Sequence, residues 1–143
     1  MPTNDDSASS FAARFAEAWS APTPDRLVAL LTDDVVLVQP LGPTTNGAEA
    51  ARQGLARLLS WIPDLRAEVL DHWGDERRVV IEFDLVGTVG GRPLRWRVVD
   101  IIELRGGLGS RRRAHFDPAP LIGALLTRPR AWIPYLRSGL WRR

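Results

Sequence analysis

One carboxylate stands in the middle of the most apolar row of the chain. In LRWRVVDIIEL, residues 94–104, strand alternation puts Leu94, Trp96, Val98, Ile102 and Leu104 on one face together with Asp100. Arg95, Arg97, Val99, Ile101 and Glu103 take the other face. An acid buried among apolar side chains keeps its proton, because desolvation penalises the charged form. A neutral acid can then donate a hydrogen bond to a ligand carbonyl or a developing oxyanion. The structural alternative is an acid satisfied by a backbone amide or by a salt bridge. In SRRRAHF, residues 110–116, Ser110, Arg112, Ala114 and Phe116 share a face, which makes Arg112 the candidate partner.

Few other groups compete with Asp100 for chemistry. His115 is opposite in phase to Ala114 and Phe116, so it points away from the interior, and His72 in DHWGD sits beside a turn. Two histidines so far apart, without acids at ligand spacing, predict no metal site. VGG and RGG read as hairpin turns and not as phosphate-binding loops, and no cofactor is expected.

The elements that position Asp100 follow from periodicity. Ser7 to Trp19 is an amphipathic helix with Phe11, Phe15, Ala18 and Trp19 on one side. TPDRLVALLTDD is a second, short helix, capped by Thr23, with Pro24 at its first position and a stripe of Leu27, Leu30 and Leu31. VVLVQP is a strand closed by Pro40 and the loop LGPTTNG. A third helix follows Gly47, with Ala51, Leu55, Leu58, Leu59 and Ile62 on one side and Pro63 at its end. Strands are expected over roughly 65–73, 78–88, 93–104 and 109–116. The order predicts an α+β fold: a cone-shaped, curved antiparallel sheet with N-terminal helices enclosing an apolar cavity.

Taking Gly90-Gly91 as a two-residue hairpin turn sets a register. Leu85 then faces Trp96, Phe83 faces Val98 and Ile81 faces Asp100 on the apolar side. On the outer side Asp84 lands across from Arg97 with Glu82 diagonal to it, a cross-strand charge ladder. That outer face, with Val99 and Ile101, is expected to join two copies in a homodimer.

Composition bounds the class. The 143 residues suit one domain with a real core, and 45% apolar with 25% charged residues is ordinary globular composition. There is no cysteine, so disulfides and thiolate metal sites are excluded. MPTNDDSASS has no basic n-region, no apolar run reaches spanning length, and a cytoplasmic setting is the expectation. All 19 basic residues are arginine and 17 acids oppose them, so a net charge of +2 gives no nucleic-acid footprint. Residues 1–7 are expected to be flexible, 8–118 to form the domain and 119–143 a helical tail broken at Pro129 and Pro134. The tail interleaves Trp132, Tyr135 and Trp141 with arginines. An anionic membrane surface is one partner for such a tail. The preferred reading folds it back over the mouth of the cone, because its prolines interrupt a long interfacial helix.

LTDDVVLVQPLG, NGAEAARQGLARLL, GRPLRWRVVDIIELRGG and RRRAHFDP, in that order over residues 8 to 118, resemble the SnoaL-like branch of the nuclear transport factor 2-like superfamily. That group includes ketosteroid isomerases, polyketide cyclases and limonene epoxide hydrolases. The resemblance implies that Asp100 holds the place of the isomerases' oxyanion-hole acid. Gln39 stands where their proton-moving aspartate would be, and an amide cannot act as that base. Phe15 stands where their oxyanion tyrosine would be. The epoxide hydrolases' Asp-Arg-Asp arrangement is absent, since Phe83, Ala114 and Ile81 occupy those places. For a cyclase-type acid, Asp100 and His115 are the candidates.

The resulting expectation is a pocket for a small apolar organic ligand, lined by Phe15, Trp19, Leu58, Phe83, Trp96, Val98 and Phe116. Asp100 is its polar anchor, and Gln39 and Arg112 add hydrogen bonds. The expected function is a cofactor-independent isomerase or cyclase acting on a steroid-like or polyketide-like compound. The alternatives are a ligand-binding protein without turnover and a dimeric interaction module.

Overall fold

The computed structural model describes residues 5–142. Of the segment expected to be flexible, residues 1–4 lie outside the described residues and Asp5 opens the first helix. That helix, α1 (Asp5–Ser20), buries Ala8, Phe11, Phe15, Ala18 and Trp19 along one face. The second, α2 (Pro24–Val28), begins where expected, with Thr23 Oγ1 accepting from Arg26 N–H at 3.1 Å. It ends earlier than the leucine stripe predicted. The Leu30 carbonyl accepts from Gly109 N–H at 2.8 Å and Leu31 pairs with Gly109, so sheet pairing takes these residues out of the helix.

β1 (Leu31–Val38) therefore starts four residues before VVLVQP and is followed by β2 (Thr45–Asn46), a short strand that the sequence did not announce. Then come α3 (Ala48–Trp61), β3 (Arg66–Gly74), β4 (Arg78–Val89), β5 (Arg92–Arg105) and β6 (Leu108–Phe116). The sheet order is β2-β1-β6-β5-β4-β3, antiparallel throughout except for β1, which lies parallel to β6. The expected antiparallel meander is β3 to β6, and β1 joins its end in parallel. The connection from β1 to β6 is long, and its meander returns β6 in the same direction.

The β4–β5 register is the one the glycine turn sets: Thr88 opposite Pro93, Leu85 opposite Trp96, Phe83 opposite Val98 and Ile81 opposite Asp100. Gly90 and Gly91 take φ of 61° and 78°, the left-handed conformation that a tight two-residue hairpin demands. Register shifts at Leu31/Val36, Val69/Asp71 and Glu103/Leu104 bend the sheet. α1 lies across β3 and β4, and the end of α3 presses onto β4 at Gly87. A Cβ at Gly87 would come within 2.5 Å of Ile62 Cγ2, so the close approach needs glycine.

The tail consists of α4 (Ala119–Thr127), a 3-10 turn (Pro129–Ala131) and α5 (Trp132–Ser138). Asp117 Oδ1 accepts from Ala119 N–H at 2.9 Å and starts α4. α5 packs on α3, where Tyr135 meets Trp61 edge-on with ring centroids 5.1 Å apart. No helix among the described residues is long and apolar enough to cross a membrane.

Candidate functional site

The concave side of the sheet and the helices enclose a chamber of about 170 Å³. It opens outward into a vestibule of about 610 Å³, and Gln39, Pro40, Thr45, Phe116, Leu121 and Leu140 border both. Since a dry cavity of roughly 150 Å³ holds one benzene ring, the chamber takes about one ring of a ligand. Anything larger must extend into the vestibule.

Period-two alternation supplies the chamber's sheet wall: Phe83 and Leu85 from β4, Trp96 and Val98 from β5, Arg112 and Phe116 from β6. Trp19 of α1 and Leu55 and Leu58 of α3 supply the helical wall. Of the residues expected in the pocket, Trp19, Gln39, Leu58, Phe83, Trp96, Val98, Arg112 and Phe116 line the chamber. Phe15 does not. It sits one layer behind, 4% exposed, with its ring against Phe83 at 5.1 Å and Trp19 at 6.2 Å, and braces the wall from behind. Leu37, Leu55 and Leu85 line the chamber without having been singled out, although the same periodicities mark all three. Leu121 and Leu140 come from the tail, whose path no local pattern specifies.

Asp100 is 1% exposed and lies deeper than the chamber wall. Arg112 links the two levels. Asp100 pairs across the strands with Ala114 and Arg112 with Ile102, which makes the acid and the arginine diagonal neighbours on the inner face. Arg112 Nε comes within 3.1 Å of Asp100 Oδ2, but neither that Nε nor either oxygen of Asp100 has a partner in hydrogen-bonding geometry. Burial drives the Asp100 carboxyl above its ordinary pKa, and the nearby Arg112 charge only partly counteracts it. The buried Trp96 Nε1 is likewise without a partner. Of the five buried side-chain polar atoms left unpaired among the described residues, four belong to Trp96, Asp100 and Arg112. Natural proteins rarely leave such groups unmatched, and here they gather at and just behind the chamber wall.

Gln39 lines both chamber and vestibule. His115 pairs with Val99 on the outer side of the sheet and is exposed. His72 is half-buried and not free in a turn, since its Nε2 lies 3.2 Å from Ser9 Oγ of α1. Among the described residues no group of three histidines, aspartates or glutamates is placed to hold a metal ion.

On the outer face Asp84 is 6% exposed between Arg97, whose Nε is 2.5 Å from Oδ1, and Arg95, whose Nη1 is 3.0 Å from Oδ2. Glu82 and Glu68 complete the ladder at 2.8 Å from Arg97 and Arg95. The Arg97 guanidinium, then that of Arg95, holds the Asp84 carboxyl below its usual range.

Residues 12–111 match the sequence profile of the SnoaL-like domain family. A search of curated proteins gives no match. Among solved structures, a putative SnoaL-like polyketide cyclase from Jannaschia sp. superposes with a TM-score of 0.76 at 19% identity, covering 89% of this chain and 96% of its own. TerC co-crystallised with polyporic acid gives a TM-score of 0.75 at 17% identity, covering 85% and 99%. An epoxide hydrolase of M. tuberculosis, described as LEH-like, gives 0.71 at 19% identity, covering 90% and 96%. At these identities the likeness is one of fold.

Proposed function

We propose that this chain, which belongs to the SnoaL-like domain family, binds a small apolar molecule by a ring bearing a hydrogen-bond acceptor. In this reading the ring enters the chamber and its oxygen meets the Trp96 N–H and the Arg112 guanidinium. The observation that carries the reading is the cluster of buried polar atoms without hydrogen-bond partners on Trp96, Arg112 and Asp100, at and just behind the wall of a mainly apolar cavity. The chemistry that fits is a cofactor-independent isomerisation or cyclisation of a steroid-like or polyketide-like compound. In an already acidic substrate of this kind the proton on the carbon next to a carbonyl passes to solvent water, and the negative charge left on the oxygen is stabilised by Arg112 and Trp96. Asp100, whose pKa burial raises, is the candidate acid for returning a proton to that oxygen, and Arg112 stands between it and the chamber. The protein would work in the cytoplasm as a homodimer joined through the outer sheet face.

A second reading, binding without turnover, is favoured by one observation. Among the described residues Arg112 is the one ionisable side chain lining the chamber, and Gln39 presents an amide where the related isomerases carry their base. Calorimetric titration with polyporic acid, the compound crystallised with TerC, tests the shared part of both readings. Saturable one-to-one binding is expected, weakened about tenfold in Trp96→Phe and more in Arg112→Leu, as loss of one and then a charged hydrogen bond requires. Binding unaffected by both substitutions would place the ligand elsewhere. Turnover of an activated cyclisation substrate, abolished in Asp100→Leu, separates the enzyme from the binding protein.

A further inference from the structure

The tail has two faces, and only one is used by the fold. Leu121, Ala124 and Ala131 are buried against the domain, and Leu140 closes over the chamber. The opposite side shows Leu126 at 75% exposure, Ile133 at 62% and Leu136 at 57%. Trp132 and Trp141, about half exposed, flank them. Both indoles are held in place: Trp132 Nε1 donates to the Leu125 carbonyl at 2.5 Å, and Trp141 Nε1 to that of Leu136 at 2.9 Å. The first of these bonds joins the exposed rows of α4 and α5. A row of large apolar side chains displayed this way is unusual on a soluble surface and marks a docking face.

Charge identifies what it docks to. Residues 118–143 carry five arginines and no acid, which leaves fourteen arginines against seventeen acids, a deficit of three, on the rest of the chain. Among the described residues no carboxylate pairs with the exposed Arg130, Arg137 or Arg142. A second copy packed tail to tail would bring the same uncompensated positive charge to the contact and repel it. An anionic lipid surface supplies the opposite charge for the arginines and an apolar layer for the leucines, isoleucine and indole rings. The geometry points to the outer face of α4 and α5 as a peripheral docking site for anionic membranes. Folding back and membrane docking are thus not exclusive, because they use opposite faces of the tail. Trp141, at the edge of the exposed row, also borders the vestibule. The docking site stands whether or not the chamber binds a ligand.

Flotation of the full chain with vesicles tests this. At low salt the protein is expected to float with vesicles of phosphatidylcholine containing about one-third phosphatidylglycerol, and not with phosphatidylcholine alone. Binding should fall roughly tenfold or more in 0.5 M salt and in Arg130→Glu/Arg137→Glu, since basic residues act through the surface potential. Ile133→Ser/Leu136→Ser should lose it equally. All four positions are exposed, so both variants should keep the wild-type melting temperature within a few degrees. Failure to bind anionic vesicles, equal binding to neutral ones, or a dimer that Ile133→Ser/Leu136→Ser splits would each overturn the proposal, the last in favour of a second copy.

Discussion

Arg112 Nε lies 3.1 Å from Asp100 Oδ2, an ion pair set just behind the chamber wall. Burial raises the carboxyl's pKa and outweighs the help that the arginine gives the carboxylate, first through its charge and then through its N–H. The consequence for stability has a definite sign. A carboxyl whose folded pKa exceeds its unfolded value binds its proton more tightly in the native state. Stability is then lost as pH rises from 3.8, the unperturbed value, through the raised folded value. Asp100→Asn removes this pH-dependent loss. Its melting temperature is expected to exceed that of the wild type at neutral pH, with the gap closing as pH falls below the ordinary aspartate range. A variant less stable than wild type at neutral pH would show that the pair is a net stabilising salt bridge.

Gln39 sets a limit on the isomerase chemistry proposed above. It lines the chamber and the vestibule, so a base at this position would reach a bound ring. The wild type is expected to show negligible turnover of a β,γ-unsaturated ketosteroid, and Gln39→Asp a measurable gain. Arg112 shares the chamber and would hold the new carboxyl ionised, as a base requires. The steroid's remaining rings must then occupy the vestibule. Absorbance of the conjugated product is the readout, and a wild-type rate like that of a dedicated isomerase would show that the base lies elsewhere.

Strand alternation and a single turn carried most of this site. Gly90-Gly91 fixed the register, and the register put Trp96, Val98, Phe83 and Leu85 on one wall with Asp100 among them. What stayed hidden depends on contacts between elements distant in the chain. Leu30 and Leu31 read as helix because their spacing suits one, but the Gly109 backbone claims them for the sheet. Nothing local to Phe15 distinguishes a wall residue from one that braces the wall. That Arg112 stands between Asp100 and the void follows from the diagonal β5–β6 pairing, which a bulge at Glu103/Leu104 shifts. Period-two reading cannot see a bulge.

The outer face should hold a homodimer. Around the Asp84 ladder it exposes Trp73 at 51%, with half-buried Val80, Val99 and Ile101 alongside. Cross-strand pairing sets Trp73 opposite Val80, and Val80 opposite Ile101, so these form one apolar strip beside the charges. A dimer is expected in sedimentation velocity, with Trp73→Glu raising its dissociation constant at least tenfold, on the order of 1–2 kcal/mol for a buried aromatic anchor. A wild type that remains monomeric at high concentration would remove this claim. Because Arg97 and Arg95 keep Asp84 ionised well into acid, the ladder's contribution is present above the ordinary aspartate pKa and lost only as pH falls through the depressed folded value.

The tail's inner face should contribute to the stability of the whole domain. Arg128 Nη1 donates to the carbonyls of Val89, Arg92 and Pro93 at 3.0, 3.2 and 3.4 Å, which ties the tail to the β4–β5 hairpin. Ala131 is 1% exposed beneath it, and Tyr135 covers Trp61. Tyr135→Ala removes an aromatic pair and a half-buried ring, so a loss of about 2 kcal/mol is expected. Deleting residues 128–143 should lower the melting temperature further and uncover Trp61 and the vestibule. It should then raise the fluorescence of a hydrophobic dye such as ANS. Unchanged melting, with the tail cut by protease as fast as an unfolded peptide, would mean that the tail only rests on the domain. In that case the chamber would be open without it, and Leu121 and Leu140 would drop out of the ligand's wall.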